Sequence, residues 1–223
     1  MAEPQLKLYG HAFSSYTWKA KIALLEKGLP FTFCALGPDE PENGARLNAL
    51  WPVGQFPVLE DGDATLIESS IIIEHLDIRF PDTPRLIPLD AAAALPVRFM
   101  DRVFDNHVMA PMQAVVAEHL PHLNAAPDPV RVERSIARLA TIYAWLEGQL
   151  PDTAWGGGDD FSLVDCAAAP ALFYADWVHP IPDDCPRLKA YRARLLGRAS
   201  VAHCVEEARP YRSYFPLGAP DRD

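Results

Sequence analysis

Three serines stand where an apolar, helix-spaced run begins, and the candidate chemistry of this chain gathers around them. Ser14 precedes Trp18, Ile22, Ala23 and Leu25. Ser69 follows Glu68 and precedes Ile72, Ile73, Leu76 and Phe80. Ser162 opens Ser162-Leu163-Val164-Asp165, which reads as a capping box. A serine at a helix start has two uses. Its oxygen caps the helix by accepting from a first-turn amide, or its proton is donated to an anion that the free amides and the helix dipole already favour. Position alone leaves both uses open for Ser14 and for the Glu68-Ser69 pair. His119-x-x-His122 offers two metal ligands without a third, so no metal is expected. Cys34, Cys166, Cys185 and Cys204 form no CxxC pair and read as small buried hydrophobes, reduced in a cytoplasmic protein.

The elements that must position these residues fall into two groups. Leu6 to Gly10 reads as a strand, Ser14 to Gly28 as a helix and Phe31 to Ala35 as a second strand, a unit long enough for a parallel crossover. A weak helical run near Ala45 to Leu50 follows. Phe56 to Glu60 then pairs through the Asp61-Gly62-Asp63 turn with Ala64 to Ile67, and a helix begins at Ser69. Residues 1–82 form this α/β unit, the proline-rich stretch 83–90 a linker, and residues 91–223 an all-helical unit. The helical unit comprises a helix from Ala91 to Val108 broken by Pro111, one over Pro129 to Leu150, the alanine-rich helix after Ser162, and a last one over Pro186 to Leu196. The 223 residues, 49% hydrophobic and 22% charged, have an ordinary globular composition. No apolar run approaches the roughly 18 residues of a membrane helix, and no signal peptide is visible. A net charge of -10, with no basic excess in either half, argues against nucleic acid or a membrane surface as partner.

This order of elements resembles the soluble glutathione transferase fold, a thioredoxin-like βαβαββα domain followed by an all-α bundle, and four motifs agree with it. Ser14-Ser15-Tyr16-Thr17-Trp18-Lys19-Ala20-Lys21-Ile22-Ala23-Leu24 resembles the first helix of serine-type members, the zeta and tau classes and many bacterial ones. Gly54-Gln55-Phe56-Pro57-Val58-Leu59 resembles the cis-proline segment. Ile67-Glu68-Ser69-Ser70-Ile71-Ile72-Ile73 resembles the γ-glutamyl-binding turn, and the Ser162 box sits where the family's C-terminal domain carries its own. Two departures stand out: Trp51-Pro52 replaces the more usual Asn-Pro, and Tyr16 stands where the zeta class has cysteine.

The resemblance implies an enzyme that uses glutathione as co-substrate. The glutathione thiol titrates near 8.5, and lowering that value by about two units requires roughly 2.7 kcal/mol in favour of the thiolate. Ser14 is the implied source, with Tyr9, Ser15 and Tyr16 as competitors. No cysteine lies in residues 11–18, which disfavours thiol-transferase chemistry. Phe56, before Pro57, would pair its backbone with the cysteinyl unit. Gln55 would hold the glycyl carboxylate as a neutral donor, Glu68 the γ-glutamyl ammonium and Ser69 its carboxylate. A hydrophobic electrophile would lie against the first long helix of the second domain, near Phe13, Phe99, Val103, Phe104 and His107, with Met100 and Met112. Asp101 or Asp105 would reach a partner subunit's glutathione in a homodimer. Conjugation is the expected reaction. Maleylacetoacetate-type isomerisation, dehalogenation and ether cleavage are alternatives, and a non-catalytic binding module like the stringent-starvation proteins is a further one.

Overall fold

The structure, a computed structural model, describes residues 6–223. Residues 1–5, which the sequence places in the first unit, lie outside the described residues. The chain begins with β1 (Leu6–Gly10), α1 (Ser15–Glu26), β2 (Phe31–Ala35), α2 (Pro41–Leu50), β3 (Val58–Asp61), β4 (Ala64–Ile67) and α3 (Ser69–Arg79). The sheet order is β2-β1-β3-β4, with β1 parallel to β2 and antiparallel to β3, and β3 antiparallel to β4. Strand alternation sorts β1 by face. Leu6 and Leu8 join the core under α1 and α3, whereas Tyr9 joins Cys34, Leu47 and Val58 on the side covered by α2.

The β1–α1 turn is possible because position 10 has no side chain. A Cβ on Gly10 would lie 2.5 Å from Thr17 Oγ1 and 2.6 Å from Thr17 Cγ2, and Thr17 is fully buried. The strand end and the helix start therefore approach to backbone contact, and the loop carrying Ser14 is short.

After a stretch without helix or strand, α4 (Ala91–Val103), a wide π turn (Phe104–Met109) and α5 (Ala110–Glu118) follow one another without interruption. Pro111 does not break this run as its sequence predicts. It stands in the first turn of α5, directly after the π turn, where a missing N–H is tolerated. Next come α6 (Pro129–Gln149), α7 (Leu163–Val178), α8 (Pro186–Leu196) and α9 (Ala199–Ala208), with a 3₁₀ turn over Arg209–Tyr214. The last two elements extend the helical unit past the helix expected to end it. The capping box on α7 is present, with Asp165 Oδ2 accepting from the Ser162 amide at 2.8 Å. The other oxygen of Asp165 accepts from Gly156 N and from the Tyr191 hydroxyl, so the box also anchors α8. All of α7 up to Trp177 is buried, and α1 packs along it. This contact sets the start of α1 against the helical unit.

Candidate active site

Ser14 is the N-cap of α1, in extended conformation, and its Oγ accepts from Thr17 N at 3.3 Å. Its loop is pinned from both sides. Trp18 Nε1 donates to Ala12 O at 2.6 Å, His11 Nδ1 accepts from Phe13 N, and the Tyr174 hydroxyl on α7 donates to Phe13 O at 3.0 Å. Of the two uses of a helix-start serine, the capping use is the one in place. The oxygen caps the helix while its proton has no acceptor among the described residues. First-turn amides and the helix dipole favour negative charge beside it.

Ser14 opens onto a cavity of about 550 Å³ between the sheet unit and the helical unit. Gln55, Phe56, Pro57, Glu68 and Ser69 line the same cavity, so six residues singled out from three separate segments meet in one place. The Phe56–Pro57 peptide is cis. Glu68 is the one described non-glycine residue with positive φ, at 69°, a conformation that costs a side-chain-bearing residue on the order of 1–3 kcal/mol. It makes no capping bond to α3. Ser69 is the buried first residue of that helix.

The competitors of Ser14 are arranged differently. The Tyr9 hydroxyl points to the α2 side and donates to Glu60 Oε2 at 2.7 Å, and burial with that carboxylate raises it well above an ordinary phenol. Ser15 is buried and accepts from Gln113 Nε2 at 3.3 Å. Tyr16 does line the cavity, and burial together with Asp105 pushes its phenol up to about 12, so it stays protonated at neutral pH.

Opposite Ser14 the wall comes from the helical unit, and its side chains are polar: Arg102, Asp105, Asn106 and Gln113. Behind it, Lys19 is fully buried, with Nζ 2.5 Å from Asp101 Oδ1, 2.7 Å from Asp105 Oδ2 and 2.8 Å from Ser70 Oγ. Arg102 Nε and Nη2 bind Asp101 Oδ2 at 3.0 and 2.6 Å, and Nη2 also reaches Asp105 and Ser70. Asp101 and Asp105, expected to reach a partner's glutathione, hold these two cations within the chain.

The five residues expected at the second substrate do not share a cavity. Phe99, Val103 and His107 line a separate groove of about 590 Å³ with Ile142 and Trp145, between α4 and α6. Phe104 is fully buried in the core, where Met112 also lies. Phe13 packs edge-on against Tyr174 at 5.3 Å. The apolar i, i+4, i+8 stripe at 99, 103 and 107 turns toward α6, which leaves the polar side of the same helix facing Ser14. Sequence reasoning missed Arg102, Asn106, Gln113 and Lys19. Only Lys19 left a signal, as a lysine between Trp18 and Ile22 within an apolar run. His119 binds the Val115 carbonyl through Nδ1, and among the described residues no cluster of three His, Cys, Asp or Glu side chains is placed to hold a metal ion.

A four-stranded mixed sheet flanked by α1, α2 and α3, joined to a helical bundle with a polar cavity at the junction, defines a two-domain enzyme fold of the thioredoxin-like kind. Models of the glutathione S-transferase N-terminal and C-terminal domains match residues 8–84 and 129–194. Glutathione S-transferase 3 of Zea mays is 33% identical over 213 residues, covering 90% of this chain and 93% of that one. A stringent starvation protein A homolog of Haemophilus ducreyi is 29% identical, with 92% of each chain covered. Among solved structures, a glutathione S-transferase from Methylobacillus flagellatus with glutathione bound superposes with a TM-score of 0.78 at 27% identity, covering 90% of this chain and 98% of that one. The chain belongs to the glutathione S-transferase family and is an enzyme of that type.

Proposed function

We propose that the cavity binds glutathione and that Ser14 holds its sulfur as the thiolate for attack on an electrophilic carbon. The thiol proton leaves to solvent on binding. The sulfur then forms the new S–C bond, and the displaced electron pair departs on a leaving group or is protonated on the substrate. Glu68 pairs with the γ-glutamyl ammonium, Ser69 with its carboxylate, Phe56 with the cysteinyl backbone and Gln55 with the glycyl carboxylate. The observation that carries this reading is the convergence of Ser14, Phe56, Glu68 and Ser69 on one cavity at the start of two helices. The electrophile approaches along the Asn106–Gln113 side, where the helical unit lines this cavity with neutral side chains. We further propose that the protein acts as a detoxifying homodimer in the cytoplasm; its four cysteines are free and buried, as suits a reducing compartment.

Ser14→Ala tests the assignment. Loss of a hydrogen bond to a charged group predicts a fall in kcat/KM of about 10- to 100-fold near neutral pH, with glutathione affinity largely retained. Unchanged turnover removes Ser14 from this role. Glutathione bound by the wild-type protein, with no turnover on any of a panel of electrophiles, contradicts this reading.

A further inference from the structure

Arg102 is the one cationic side chain among those lining the cavity, and no role described so far uses it. Its setting is built rather than incidental. Lys19 and Arg102 face Asp101 and Asp105, two cations against two carboxylates, so their charges balance. All the bonds Arg102 makes to these residues and to Ser70 leave from its Nε–Nη2 edge. A guanidinium is planar, so fixing one edge fixes the direction of the other. Nη1 has no acceptor among the described residues, and the side chain is 49% exposed.

The position of that free edge follows from Ser70. Arg102 Nη2 binds Ser70 Oγ, and Ser70 is the second residue of α3, beside Ser69. The guanidinium therefore stands at the N-terminus of α3, where first-turn amides have no intrahelical acceptor. Glu68, with no side-chain bond to α3, lies next to it. A carboxylate on one side and a cation with free amides on the other match a zwitterion in which ammonium and carboxylate share one carbon.

We propose that Arg102 clamps the α-carboxylate of the γ-glutamyl residue, pairing through its Nη1 edge while the Ser69 hydroxyl and amide hold the same group from α3. This inference rests on the cavity being the glutathione site and adds a binding residue contributed by α4. The carboxylate is bracketed by one helix from each unit of the chain. Arg102 thereby adds to the discrimination against ligands that lack this carboxylate, because they leave the guanidinium edge unpaired.

The test is a four-cornered binding cycle by calorimetry. Wild type and Arg102→Met are each titrated with glutathione and with 4-aminobutyryl-cysteinylglycine, which lacks only the glutamyl α-carboxylate. The expected result is a loss of about 10- to 100-fold for glutathione on substitution, with equal affinities of the two proteins for the analogue. Arg102→Lys, which keeps the charge and the neutral cluster, is titrated in parallel in case the methionine variant fails to fold. It is expected to lose glutathione affinity, but not affinity for the analogue. Equal losses for both ligands, or none for either, overturn the assignment while leaving the glutathione site standing. Wild-type protein that binds neither ligand overturns both the assignment and the reading beneath it.

Discussion

At the scale of single residues, the account turns on which hydroxyl is free. Tyr9 and Ser14 both sit near the start of α1, yet the Tyr9 proton is committed to Glu60 on the far side of the sheet, whereas the Ser14 proton has no acceptor among the described residues. Tyr9→Phe should therefore leave turnover unchanged and cost about 1 kcal/mol of stability. Its pH dependence has a definite sign. Arg46 holds the Glu60 carboxyl below its usual 4.5, with burial opposing and the Tyr9 hydroxyl helping. A depressed carboxyl stabilises the fold above the unfolded pKa and loses that contribution as pH falls through its folded value. The deficit of Tyr9→Phe should thus be full above about pH 5 and shrink in acid, as read by denaturant unfolding at several pH values. A variant that instead loses turnover moves the thiol-activating role toward Tyr9.

Elements position these residues, and here the sequence was legible where the determinants are local. The start of α1, the β3–β4 turn and the start of α3 are written in short runs of serine, glycine and alternating hydrophobes, so Ser14, Glu68 and Ser69 were identifiable before their convergence was visible. The faces of α4 were not legible. A helical stripe at 99, 103 and 107 announces an apolar side but not which neighbour it meets, and that neighbour is α6. The π turn and the uninterrupted passage through Pro111 likewise depend on tertiary packing, and α9 is a helix of only 10 residues directly after α8. One element junction makes a sharp prediction. In Gly10→Ala the new methyl meets the buried Thr17 side chain, so the variant should lose roughly 1–3 kcal/mol together with part of its turnover as the Ser14 loop shifts. Gly10→Ala combined with Thr17→Ala should recover much of the stability, and strict additivity of the two changes is the outcome that contradicts the contact.

For the whole molecule, the two units meet at α1 and α7, and the polar cavity lies at their junction. Ile71 and Ile78 on α3 and Leu95 and Phe99 on α4 are exposed apolar side chains, and the Arg98–Glu74 ion pair ties those two helices together. Exposed apolar residues grouped on adjoining helices fit burial against a second copy. Wild-type protein should sediment at twice the chain mass, and Leu95→Glu with Phe99→Glu should shift it to a single chain mass. A wild-type monomer at micromolar concentration contradicts the homodimer. The central claim is the activated thiol, and the most direct test is an ultraviolet titration of glutathione bound to the wild-type protein and to Ser14→Ala. The account predicts a bound-thiol pKa about two units below the free value near 8.5 in wild type, returning toward that value in the variant while binding persists. A wild-type value equal to that of free glutathione, or the same lowered value in both proteins, contradicts it.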